Sequence, residues 1–153
     1  MKVNHRMLIS VLLALFCGMA QATQFNAVTT TDAFADVMAN VKDAIIGRGL
    51  NISHVLHASD MLNRTGPDLG YPENIFKQAE SIEFCSASLS HQLVAINPNN
   101  MVVCPFTIGV YQLEADTDKV YVTYRLPQAG EESAKVIDKV EQLIQSIVLE
   151  ATE

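Results

Sequence analysis

Residues 101–126 read MVVCPFTIGVYQLEADTDKVYVTYRL, and their alternation decides the fold. Val102, Cys104, Phe106, Ile108 and Val110 occupy even positions. After an Ala115-Asp116-Thr117-Asp118 turn, Val120, Val122, Tyr124 and Leu126 repeat the pattern. Successive strand side chains point to opposite faces, so each run has one apolar and one polar side, and two such runs joined by a short polar turn make a hairpin. Pro105 has no amide hydrogen for a neighbouring strand and predicts an edge or a bulge at that point.

Working outward, the C-terminal segment opens with Glu131-Glu132, favourable at the positive end of a helix, and carries a stripe of Val136, Val140, Leu143, Ile144, Ile147 and Val148. Upstream, Ser86 can cap a helix that runs to Ile96 and is ended by Asn97-Pro98-Asn99-Asn100. Residues 81–85 form a short strand with Ile82 and Phe84 facing one way. Residues 58–79 hold Gly66-Pro67, Gly70 and Pro72 and little periodicity, so they read as a long loop with at most a short helix over 59–63. Residues 50–57 alternate, with Leu50, Ile52, His54 and Leu56 on one side and Asn51, Ser53, Val55 and His57 on the other. Phe34, Val37, Met38, Val41 and Ile45 mark an amphipathic helix capped by Thr31-Asp32 and closed by Gly47 and Gly49, and residues 25–30 are a first strand. The sum is an α+β fold: about five strands in a mainly antiparallel sheet, in the order strand, helix, four strands, helix, with a short helix between strands three and four. Each strand has a single apolar face, so both main helices cover the same side and leave the other open.

The N-terminus places the chain. Lys2, His5 and Arg6 precede an apolar run over 7–19, and Ala20-Gln21-Ala22 is a small-x-small cleavage site, the pattern of a secretion signal over residues 1–22 followed by one domain over 23–153. Localisation is therefore expected outside the cytoplasm, in the periplasm of a Gram-negative cell. Removing Lys2 and Arg6 from ten basic residues while all seventeen acids remain leaves a formal net charge of −9. Nucleic acid and anionic membrane surfaces are bound by clustered Lys and Arg, which this chain lacks, so neither is an expected partner.

Phe84-Cys85-Ser86-Ala87, Asn97-Pro98 and Val103-Cys104-Pro105-Phe106-Thr107-Ile108-Gly109-Val110-Tyr111 resemble the bacterial and archaeal family called domain of unknown function 302, over roughly residues 34–127. The resemblance implies a TATA-binding-protein-like arrangement and members that pack as dimers, and it implies no reaction. Two positions depart from the family pattern. Phe84-Cys85-Ser86-Ala87 stands where Ala-Cys-Asn-Pro is usual, and Cys104-Pro105-Phe106 where Pro-Cys-Asn is usual.

The chemistry-bearing residues are few. Cys85 and Cys104 survive signal removal, and an oxidising compartment favours a structural disulfide between them; two separate thiols and a redox pair are the alternatives. Strand parity points Cys85 away from the core and Cys104 into it, which opposes a direct bridge. His54 and His57 have opposite parity and cannot easily share a metal, while His54 falls on an apolar face and reads as a core residue. His54 or His91 with a cysteine and Met101 would suit copper or haem iron, but the spacing is irregular and no cofactor is expected. There is no Gly-x-Ser-x-Gly, His-Glu-x-x-His or phosphate-cradling glycine loop, and Asp60 and Asp68 are the only acids worth watching, so a non-catalytic role is favoured over an enzyme. The open face would present Thr107, Tyr111, Tyr121, Thr123 and Arg125, with Ser53, Val55 and His57 from a second strand and the loop over 58–79 beside them, to a small molecule, a protein partner or a second copy of the chain.

Overall fold

The computed structural model describes residues 25–153; the expected signal over 1–22 lies outside the described residues. Strand β1 (Phe25–Thr30) leads into helix α1 (Phe34–Gly47), then β2 (Asn51–His57), α2 (Ala58–Thr65), β3 (Phe76–Cys85), α3 (Ala87–Ile96), β4 (Phe106–Leu113), β5 (Asp116–Arg125) and α4 (Ala134–Thr152). The five strands form one antiparallel sheet in the order β1-β5-β4-β3-β2. β2 to β5 is a meander. β1, separated from it by α1, closes against β5 on the far edge. Three 3-10 turns fill the connections, at Pro67–Leu69, Pro98–Val103 and Glu131–Ser133.

The even-numbered side chains of the later strands form the roof of the core. Phe84, Phe106, Ile108, Val110, Val120 and Val122 are buried against Val37, Val41 and Ile45 of α1 and Val140, Ile144 and Ile147 of α4. Each such apolar side chain contributes roughly 1.5–3 kcal/mol relative to remaining in water. Arg48 fastens the two long helices at one end. Its guanidinium donates to the Ala44 and Ser146 carbonyls at 2.8 and 3.2 Å and pairs with the Glu150 carboxylate at 2.7 Å. At the end of α1 only Gly49 takes a left-handed conformation (φ 70°), while Gly47 remains helical. Ala33, not Thr31-Asp32, is the N-cap residue of α1, and no side chain caps that end; Asp32 instead accepts a hydrogen bond from the Thr30 hydroxyl.

Three expectations are corrected. Residues 101–104 are not strand. Pro98 starts a 3-10 turn that continues through Val103, so the chain is still turning where alternation suggested a strand, and Val102 is 83% exposed. Pro105 lies just outside β4, behind a cis Cys104–Pro105 bond. Residues 58–79 are not one long loop either. α2 occupies 58–65, and β3 begins at Phe76 because it pairs there with Leu113; the Ser59 hydroxyl and the Asn63 amide donate to the Ala79 and Phe76 carbonyls, fixing α2 along the end of β3.

β2 changes facing part-way along its length, against the expected single alternation over residues 50–57. Ile52 pairs with Phe84, but the register shifts between Ile52 and His54, so His54 pairs with Glu83, Val55 with Ile82, Leu56 with Ser81 and His57 with Glu80. One extra residue in a strand reverses the facing of everything beyond it. Val55 therefore packs on the core side and His54 and Leu56 lie on the open side. His57 shares the side of Glu80, with Nδ1 3.3 Å from that carboxylate, and so does not belong to the open face.

Candidate functional site on the open sheet face

Odd positions of β4 and β5 build the uncovered side. In one row across the sheet, Ala79, Tyr111, Tyr121 and Thr29 stand opposite one another; in the next, Leu56, Ser81, Gly109, Thr123 and Ala27 do. The first row is tall. Tyr111 and Tyr121 stack with centroids 4.8 Å apart, and Phe76 meets Tyr111 edge-on at 5.4 Å. The second row is low, because its centre is a glycine between a serine and a threonine.

Over this low row, on the side away from the tyrosines, lies a trough of about 560 Å³. Ser81, Gly109, Thr123 and Thr107 contribute its floor. The chain entering β4 bounds it with Val102, Val103 and Pro105, and the edge strand and the chain leaving β5 bound it with Phe25, Arg125, Pro127 and Gln128. The floor is close-fitting at its centre, since a Cβ on Gly109 would stand 3.1 Å from Cγ2 of Thr123. The Thr123 hydroxyl donates to the Asn26 carbonyl at 2.9 Å and ties β1 to the floor.

Two attachments hold the bounding segment 98–105. The Asn100 amide, buried, donates to the Leu93 carbonyl at 3.0 Å and to the Ser133 hydroxyl at 2.9 Å. Cys104 comes to disulfide distance of Cys85, their α-carbons 5.8 Å apart. The parity objection does not apply, because Cys104 precedes the strand and its side chain is free to turn toward the end of β3. The Ser86 hydroxyl accepts from the Leu89 amide directly after Cys85, so α3 starts where that attachment ends.

At the end of β5 opposite Arg125, Asp116 accepts from the Lys119 ammonium at 3.0 Å and the Tyr121 hydroxyl at 3.3 Å. The ammonium lowers the Asp116 pKa, and the carboxylate in turn raises that of Lys119. Partial burial, and secondarily Tyr121, raises the Tyr111 phenol.

Thr107, Thr123 and Arg125 thus line the trough, whereas Tyr111 and Tyr121 stand in the next row and do not. Ser53 lies in the β2 irregularity and donates to the Glu83 carbonyl. His54 is exposed rather than in the core, His91 is on α3, and Met101 is in the 3-10 turn and largely exposed. Among the described residues no three His, Cys, Asp or Glu side chains gather as a metal ion would need. Asp60 and Asp68 fall in α2 and the following turn and do not line the trough, nor does any residue of 58–79. Sequence reasoning missed Phe25, Ser81, Val102, Gly109, Pro127 and Gln128. A lone glycine inside a strand, at an outward position, was the available signal for the floor.

The sequence signature of the family described as "Domain of unknown function DUF302" matches residues 26–151. The chain belongs to this DUF302 family. Its fold is similar to that of a solved DUF302 protein from Bacillus stearothermophilus, described as an uncharacterized conserved protein, with a TM-score of 0.66 at 10% identity, covering 85% of this chain and 99% of that one. At that identity the likeness concerns the fold alone. No curated protein matches the chain. The DUF302 match extends past the motif-bearing stretch to both edges of the sheet and through α4, so it takes in the whole frame that shapes the trough.

Proposed function

We propose that this DUF302 domain is an exported, non-catalytic binding protein whose ligand lies in the open-face trough. The observation that carries the reading is the concavity of about 560 Å³ on the side of the sheet opposite the α1–α4 core. Sites for small molecules are concave, largely preformed and lined by apolar groups with a few placed polar ones. Here the apolar groups are Phe25, Val102, Pro105 and Pro127, and the polar ones are three hydroxyls, an amide and a guanidinium. The floor is rigid because it is sheet, and the bounding segment is fastened by Asn100 and, in this reading, by a structural Cys85–Cys104 disulfide.

Titration with the neutral fluorophore N-phenyl-1-naphthylamine, followed through backbone amide shifts, tests the reading. Saturable shifts are expected at Ser81, Gly109 and Thr123. They should disappear in Ser81→Leu and Gly109→Leu, whose folding is checked by circular dichroism. Shifts confined to other surfaces, or unchanged in both folded variants, would remove the trough as the site.

A further inference from the structure

We infer that the trough selects amphipathic carboxylates, seating an apolar body among Phe25, Val102 and Pro127 and the carboxylate on Arg125. The inference rests on the binding reading above and adds the ligand class to it.

Among the described residues Arg125 is the only Lys, Arg, Asp or Glu side chain that lines the trough. Among the described residues its guanidinium has neither an ion-pair nor a side-chain hydrogen-bond partner. That placement runs against the overall charge of the chain, whose acids outnumber Lys and Arg by seventeen to ten. Lys42, Arg64, Lys77 and Lys135 also lack a carboxylate partner, but among the described residues none of them lines the trough, so position in the concavity and not freedom from pairing sets Arg125 apart. An unpaired planar fork beside a partly apolar concavity matches the two oxygens of a carboxylate. The hydroxyls of Ser81 and Thr107, also without hydrogen-bond partners among the described residues, supply further donors on the same floor.

Size and charge narrow the class. A half-open volume of about 560 Å³ suits a compact organic molecule and not a macromolecular segment. One cation set in an acidic protein balances one negative charge, so a monoanion is preferred to a phosphate dianion, whose second charge would face the repulsion of the surrounding carboxylates.

The test compares decanoate, decanol, decyl phosphate and decyltrimethylammonium on the wild-type chain, Arg125→Gln and Arg125→Lys, by calorimetry and amide shifts. Decanoate is expected to bind most tightly and to shift Gly109, Thr123 and Arg125. Arg125→Gln should weaken it roughly 10- to 100-fold, the range for a charge-assisted hydrogen-bonded contact. Arg125→Lys should restore only part of that loss, and decanol and N-phenyl-1-naphthylamine should bind equally to all three proteins. Decanol or decyltrimethylammonium binding in the trough as tightly as decanoate would overturn the ligand class while leaving the binding reading intact. Decyl phosphate binding more tightly than decanoate would overturn the choice of a monoanion. If no probe shifts the floor residues, both readings fall.

Discussion

Tyr111 and Tyr121 show how the open face is shaped one residue at a time. Their rings lie parallel within 3°, and the Tyr121 hydroxyl is directed to Asp116, while partial burial of Tyr111 raises its pKa. A phenol whose folded pKa lies above its unfolded value contributes in full below about pH 10, and that contribution is lost as pH rises through the raised value. Lys119, also raised, acts in the same direction; Asp116, lowered, does the opposite, losing its contribution as pH falls below about 4. Urea midpoints measured from pH 8 to 11 should therefore decline at the alkaline end, and Tyr111→Phe should flatten that decline while leaving the midpoint at pH 8 nearly unchanged. A second residue-scale expectation concerns Asn100. Truncation to Ala leaves the Ser133 hydroxyl and the Leu93 carbonyl without their buried partner, and chemical denaturation should register a loss of about 2 kcal/mol. Neither tyrosine stacking nor the Asn100 bonds were legible in the sequence, because each joins residues whose proximity depends on strand register or chain turns.

At the scale of elements, the segment from Pro98 to Pro105 carries the most consequence. A long apolar alternation continues unbroken into Met101, yet Pro98 and the Asn97 side chain, which accepts from the Asn99 amide, start a 3-10 turn instead. Local hydrogen bonding of this kind competes with strand pairing, and it leaves Val102 exposed as a boundary of the trough. Cysteines 19 positions apart enclose this turn together with α3. Replacing both by Ala should lower stability by roughly 3 kcal/mol on the chain-entropy account and broaden the amide signals of residues 98–105. Thiol titration of the denatured, unreduced protein should give no free thiol from this pair; two free thiols would contradict the structural disulfide. The β2 irregularity is the complementary case. Leu50, Ile52 and Leu56 share one parity in sequence, and only the pairing of Val55 with Ile82 reveals that the strand changes facing at Ser53.

Across the whole molecule, the five-stranded sheet presents one side to α1 and α4 and leaves the other to solvent, and export would place that open side in contact with extracytoplasmic solutes. Mass spectrometry of the protein recovered from a periplasmic fraction should give a chain beginning at Thr23, and one retaining residues 1–22 would contradict the signal reading. Among the described residues no helix is long and apolar enough to cross a membrane. The element order, the sidedness of β4 and β5 and the candidates Thr107, Thr123 and Arg125 were determined by the sequence alone, since a period of two or of 3.6 is a local property that any sufficiently regular segment displays. The tertiary structure alone decided the facing of His54, Val55 and His57, the approach of Cys104 to Cys85, and the hollow over Gly109. Those features arise from register, from a turn that overrides alternation, and from the segments before β4 and after β5 that rise on either side of Gly109, and each of these is set by residues far apart along the chain.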